Sequence, residues 1–156
     1  MNRKYEAGKL IIVCGLPGSG KTTHAKQLEQ ELRAVRLCPD EWITALGAGL
    51  WQSDFRGRIE ELQWKLAQDL LALGHPIVIE WGTWARSERD TLREGARALG
   101  AAVELHFLDV PLDVLLDRIR LRNMEHPPIT LDDLMKWDGQ FQRPGAEEMS
   151  LFDSTL

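Results

Sequence analysis

Apolar residues follow two alternating spacings along this chain. Continuous apolar runs recur over 9–15, 34–39, 76–82 and 102–110, and helical spacings fill the intervals. "KLIIVCG" (9–15) is a β-branched run stopped by glycine, the pattern of a strand buried on both faces. "AVRLCP", "PIVIEWG" and "AVELHFLDV" predict three more strands. Between them, "KTTHAKQLEQEL" (21–32) sets Ala25, Leu28 and Leu32 on one helix face. "DEWITALG" reads as a short helix or turn. Over 55–73, Ile59, Leu62, Leu66, Leu70 and Leu73 keep helical spacing until Gly74 stops them. Ser87, with Asp90 three residues on, predicts the N-cap of a helix ending near Gly100. Pro111 opens a helix carrying Leu112, Leu115, Leu116 and Ile119 to about Asn123. The tail from His126 is Pro-rich and then weakly helical.

Strands alternating with helices predict an α/β fold, a parallel sheet with helices on both faces. Such a sheet binds ligands outside the carboxyl ends of its strands, here after Val13, Leu37, Ile79 and Leu108. No repeat or linker divides the 156 residues, which read as one domain with a core of about 9–123 and a tail over 124–156. The 44% hydrophobic and 28% charged composition is that of a globular chain and excludes a disordered one. No apolar run reaches membrane-spanning length, and the start "MNRKYEAGK" lacks a signal-peptide layout. Cys14 and Cys38, both in strand-like segments, read as buried reduced thiols of a cytoplasmic protein. The formal net charge of −5 argues against an extended nucleic-acid footprint.

The chemistry concentrates in "VCGLPGSGKTTHAKQL". Gly15 to Thr22 spells G-x-x-x-x-G-K-T between a strand and a helix, the context this phosphate-binding pattern requires. Gly15, Gly18 and Gly20 free the backbone so that N–H groups of the loop, Leu16, Pro17 and Ser19 completing it, can surround phosphate oxygens. Lys21 would neutralise the β and γ phosphates, and Thr22 would offer its hydroxyl to Mg²⁺. Thr23 either touches the α phosphate or caps the helix. The competing reading is a glycine-rich turn with an exposed lysine. Trp42, Trp81 and Trp84 fall at the ligand edge, where indoles either stack on a ring-bearing substrate or roof the sheet. Arg86 and Arg89 lie at the same edge, as acceptor or phosphate contacts or as surface ion pairs.

The loop resembles that of the P-loop NTPases. "GLPGSGKTT" in so small a chain is similar to the compact P-loop kinases, the group of the phage polynucleotide 5′-kinase domain, zeta toxins and chloramphenicol phosphotransferase. The resemblance covers about 9–123. It implies a strand order of 2-3-1-4, ATP and Mg²⁺ as cofactors, and phosphoryl transfer to an alcohol. It places the general base at Asp40, which otherwise reads as a helix N-cap, with Glu41 a solvated neighbour. It places at Glu80 an acid that orients the acceptor or a Mg²⁺-bound water, against a strand-end carboxylate paired with an arginine. It puts Arg122, and next Arg118, over the transferring phosphoryl group, against an exposed salt-bridged helix; Arg120 points elsewhere. Trp42 and Ile43 follow Asp40 where the group often has an acceptor-binding arginine. The expected partners are a nucleoside triphosphate and a small hydroxyl-bearing acceptor, with no membrane. The alternatives are a polynucleotide 5′-hydroxyl kinase, whose nucleic-acid end would stack on the aromatic residues, and a non-catalytic nucleotide switch.

Overall fold

A computed structural model describes residues 7–155 of the chain. Residues 1–6, which include most of the start read as lacking a signal layout, and residue 156 lie outside the described residues. Four strands form one sheet: β1 (Lys9–Cys14), β2 (Val35–Leu37), β3 (Pro76–Gly82) and β4 (Ala102–Phe107). Every pairing is parallel and the order is β2-β3-β1-β4, as expected. The central strand sets Leu10 between Ile77 and Val103, and Ile12 between Ile79 and Leu105. Parallel pairing brings all four carboxyl ends to one edge. No helix among the described residues is long and apolar enough to cross a membrane.

Alternation along β1 divides the core. Leu10, Ile12 and Cys14 face the larger cluster; Ile11 and Val13 face a smaller one with Ala25, Leu28, Ala34 and Val78. The smaller face is covered by α1 (Lys21–Leu32). Beside it a polar chain replaces apolar packing. His24 and His106 share a hydrogen bond of 2.7 Å, His106 meets Glu104 at 2.8 Å, and Lys9 pairs with Glu104.

On the larger face lie α3 (Ser53–Ala72) and α4 (Arg86–Ala98), with α2 (Pro39–Ala45) leading into α3. The leucine stripe expected to bury α3 is not its buried face. Ile59, Gln63, Ala67 and Leu71 are buried, whereas Leu62, Leu66 and Leu73 are exposed. Two contacts turn the helix. Trp64 packs onto the bare backbone of Gly95 in α4, where an added Cβ would stand 2.6 Å from the indole. Gln63 accepts a 2.9 Å hydrogen bond from the Trp81 indole. Helix α4 also begins earlier than Ser87 predicted. Its N-cap position is Ala85, whose N–H donates to Glu88 Oε2 at 3.1 Å.

The tail belongs to the core. After α5 (Leu112–Arg122), helix α6 (Leu131–Gln140) and the short α7 (Ala146–Met149) add Leu134, Phe141 and Phe152 to the larger cluster. A fully buried ion pair fastens them. Arg89 of α4 bonds Glu148 of α7 through Nε and Nη2, at 2.6 and 3.0 Å. Its remaining donors reach the carbonyls of Thr83, Trp84 and Gln142. The Thr83 carbonyl sits in a left-handed turn, φ 47°, that continues β3. Arg89 is therefore a structural clamp and not the acceptor contact its place in the sequence offered.

Removing one member of such a pair strands a buried charge, which costs about 3–5 kcal/mol. Arg89→Met and Glu148→Leu should each lose stability on that scale in urea denaturation. Combined, they should lose well under the sum; simple additivity would contradict a shared ion pair.

Candidate active site

The P-loop turns from β1 into α1 under tight steric control. A Cβ on Gly15 would stand 2.6 Å from Ser19 Oγ and 2.9 Å from the Leu108 carbonyl. Gly18 has φ +80° and lies against the Leu115 carbonyl, 2.9 Å from its ideal Cβ position. Both positions exclude side chains. Lys21 folds back over the loop and donates to the Leu16 carbonyl at 3.0 Å. Burial of its ammonium pushes its pKa down to about 8, while the carboxylates of Asp40 and Glu80 pull it up. Ser19 Oγ is buried with no partner, and Thr23 is exposed on the first turn of α1.

Glu80, near the end of β3, is 4% exposed. Its Oε1 accepts from Thr22 Oγ1 at 2.9 Å, and Arg36 Nη1 lies 3.3 Å from Oε2. Oε2 itself has no hydrogen bond. Among the described residues no cluster of three His, Cys, Asp or Glu side chains forms a metal cage. Mg²⁺ takes one or two protein oxygens and completes its shell with water and phosphate. The Thr22 hydroxyl and the orphaned Glu80 oxygen fit it. Burial, then Glu80, pushes the Cys38 thiol up to about 12, and burial raises Cys14. Both cysteines are free and buried, as read from the sequence.

Asp40 stands in the first turn of α2, and Cys38, not Asp40, holds the N-cap position. The cap reading of Asp40 therefore falls. Its side chain is half-exposed, and Oδ1 is held by Arg56 of α3. Arg56 also donates to Glu60 Oε1 at 3.1 Å and to the Trp81 carbonyl at 3.4 Å. Sequence reading missed this arginine. Its spacing with Glu60 is an ordinary helical ion pair, and nothing in the chain signals the reach back to Asp40. Arg36 was missed too, though it joins Glu29, Glu41 and Glu80.

The other expected residues fall at different depths. Arg118 Nη1 touches the P-loop at the Gly18 carbonyl, 3.2 Å away, whereas Arg122 pairs with Glu125. Trp42 and Trp81 are half-buried against the core. Trp84 meets Trp137, which in turn meets Trp51, at ring separations of 5.8 and 5.9 Å. Arg86 is occupied by Glu147 at 2.9 Å.

A family model described as an AAA domain matches residues 10–144. The chain belongs to this family of P-loop NTPases. An adenylate kinase of Deinococcus radiodurans is 34% identical over 125 residues, 71% of this chain and 62% of that protein. The chain thus spans under two thirds of that relative's length. Among solved structures, an RNA repair complex of Pnkp1, Rnl and Hen1 matches at TM-score 0.72 and 23% identity, over 97% of this chain and 48% of the other. A gluconokinase from Sinorhizobium meliloti matches at 0.63 and 22%, over 91% and 79%. The APS kinase of Mycobacterium tuberculosis, with AMPPNP and APS bound, matches at 0.60 and 23%, over 89% and 84%. These solved structures share the fold, that of compact P-loop kinases.

The lowered Lys21 pKa has a consequence for nucleotide binding. Below about pH 8 the ammonium is charged and would meet a bound triphosphate; above it, binding would also take up a proton. MgATP affinity should hold up to about pH 8 and then fall by up to about tenfold per unit. The fall should vanish in Lys21→Ala, whose affinity is low throughout. Calorimetric titrations across that range check it, and a flat wild-type profile contradicts it.

Proposed function

We propose that this protein is an ATP- and Mg²⁺-dependent kinase that transfers the γ-phosphoryl group to a hydroxyl of a small molecule. The supporting observation is the position of Asp40. It projects from the C-terminal edge of the sheet close enough to Lys21 to act on its charge, and Arg56 engages one carboxylate oxygen. The other oxygen is left to receive a proton.

In this reading the backbone of 15–22 and Lys21 cradle the phosphates, with Thr23 beside the α phosphate. Thr22 and Glu80 would hold Mg²⁺, which would supply positive charge to offset that of the phosphates. Asp40 orients the acceptor hydroxyl and takes its proton. The acceptor oxygen bonds to the γ phosphorus, the bond from that phosphorus to the β,γ-bridging oxygen breaks, and ADP leaves. Arg118, already on the loop, and Arg122 one turn further along α5 stabilise the charge on the transferring group. Trp42, Trp81 and Trp84 form the acceptor wall. Arg86 would contribute only by leaving Glu147. The buried free thiols accord with a cytoplasmic setting. The name of the Deinococcus relative supplies the alternative acceptor, the phosphate of a nucleoside monophosphate.

Asp40→Asn keeps size and shape. It should lower transfer by about 10²–10⁴-fold, the usual range for loss of a general base, far more than it changes ATP affinity or melting temperature through the lost charge beside Lys21 and Arg56. Steady-state transfer of labelled phosphate checks this. Full activity in the variant removes Asp40 from the reaction.

A further inference from the structure

Beside its buried side, α3 carries a second apolar stripe that its own chain leaves open. Phe55, Arg58, Leu62, Leu66, Asp69 and Leu73 follow one another at intervals of three or four residues, so they line one face of the helix. Leu62, Leu66 and Leu73 keep 58%, 38% and 60% exposure. The charges along this face are open as well. Arg56 makes the ion pairs of α3, to Glu60 and Asp40. Arg58, Glu61, Lys65 and Asp69 are exposed, and among the described residues none of them is in an ion pair.

The stripe has the same order in both directions, with its charge inverted. From either end it runs apolar, charged, apolar, apolar, charged, apolar, and the two charges have opposite sign. A second α3 laid antiparallel about a two-fold axis near residue 64 therefore complements the first. Leu62 meets the partner's Leu66, Arg58 meets the partner's Asp69, and each contact occurs twice. The rotation also brings the same flank of both helices together, which sets Glu61 against the partner's Lys65. A parallel pair would set Arg58 on Arg58 and Lys65 on Lys65. Antiparallel helices also place each N-terminus beside a C-terminus, which their dipoles favour.

The start of α3 supplies a matching hollow. A cavity of about 480 Å³ opens between Trp51, Phe55 and Arg58 on the striped face. In the antiparallel register this is where the partner's Leu73 falls, and Leu73 is the most exposed leucine of the stripe.

We propose that α3 is the interface of a two-fold symmetric dimer of this chain, its two copies antiparallel and Leu73 of each seated in the cavity at the start of the other. One helix from each chain makes a small interface, so its dissociation constant belongs at the weak end, about micromolar.

Sedimentation equilibrium of the full chain across that concentration range should show a monomer–dimer equilibrium. Leu62→Gln should weaken it at least about tenfold, since two buried leucines are lost from each dimer. Glu61→Lys and Lys65→Glu, each alone, should also weaken it about tenfold, because two symmetric contacts turn from attractive to repulsive. All three positions are exposed, and circular dichroism spectra should match the wild type. Mixed in equal amounts, the two charge variants should associate about as tightly as the wild type, because every reversed charge then faces an opposite one. Mild oxidation of Leu62→Cys mixed with Leu66→Cys should cross-link the mixed pair in preference to either variant with itself. A wild-type protein that stays monomeric overturns the inference. So does a dimer that these substitutions leave intact, since it uses another surface. A charge-variant mixture no tighter than its components, or cysteine variants that each cross-link best with themselves, overturns the antiparallel pairing.

Discussion

A single buried carboxylate holds the cleft together. Glu80 sits near the end of β3, out of water, and an isolated charge there would be strongly unfavourable. Its compensation comes from two other elements. Arg36 in β2 supplies the countercharge, and Thr22 at the start of α1 supplies the hydrogen bond. Meeting these demands brings β2, β3 and the P-loop helix to one point. Arg36 extends the arrangement to Glu29 on α1 and Glu41 on α2. The neighbouring Cys38 thiol feels the same burial and negative charge and stays protonated. Electrostatic compensation thus ties the phosphate loop to β2 and β3, beside the α2 turn that carries Asp40.

The opposite wall depends on the C-terminal segment. Arg89 bonds three carbonyls and Glu148 at once and so ties the turn after β3 to α7. Gln142 reinforces it, donating to the Trp84 carbonyl at 2.9 Å and accepting from the Arg86 N–H at 2.8 Å. The neighbouring Trp84–Trp137–Trp51 series links that turn to α6 and to the loop before α3. Residues remote from the phosphate loop in sequence therefore shape the edge of the sheet where the proposed reading puts the acceptor.

Local signals in the sequence carried the strands and the loop, and the family resemblance carried the strand order. The β-branched runs needed no tertiary information, and the glycine-lysine-threonine spacing is set by phosphate geometry. What stayed hidden depends on side chains meeting across the fold. Leu62, Leu66 and Leu73 offered the more apolar stripe, yet Trp64 docking on Gly95 and Gln63 bonding Trp81 turned α3 away from it. Ser87 is a good N-cap by type, but Glu88 reaches the Ala85 N–H first. Arg56 looked like one of many helical arginines until the fold set it against Asp40, sixteen residues earlier. Arg89 looked like a ligand contact because burial of an arginine cannot be read without its partner, Glu148.

The central claim is that the P-loop and Asp40 face the same phosphoryl group. A crystal structure with Mg²⁺ and a non-hydrolysable ATP analogue tests it most directly. The account predicts the β phosphate within the ring of 15–22, Mg²⁺ bound at Thr22 and reached by Glu80 directly or through water, and the γ phosphate turned toward Asp40. A nucleotide seated elsewhere, or a γ phosphate directed away from Asp40, would contradict it.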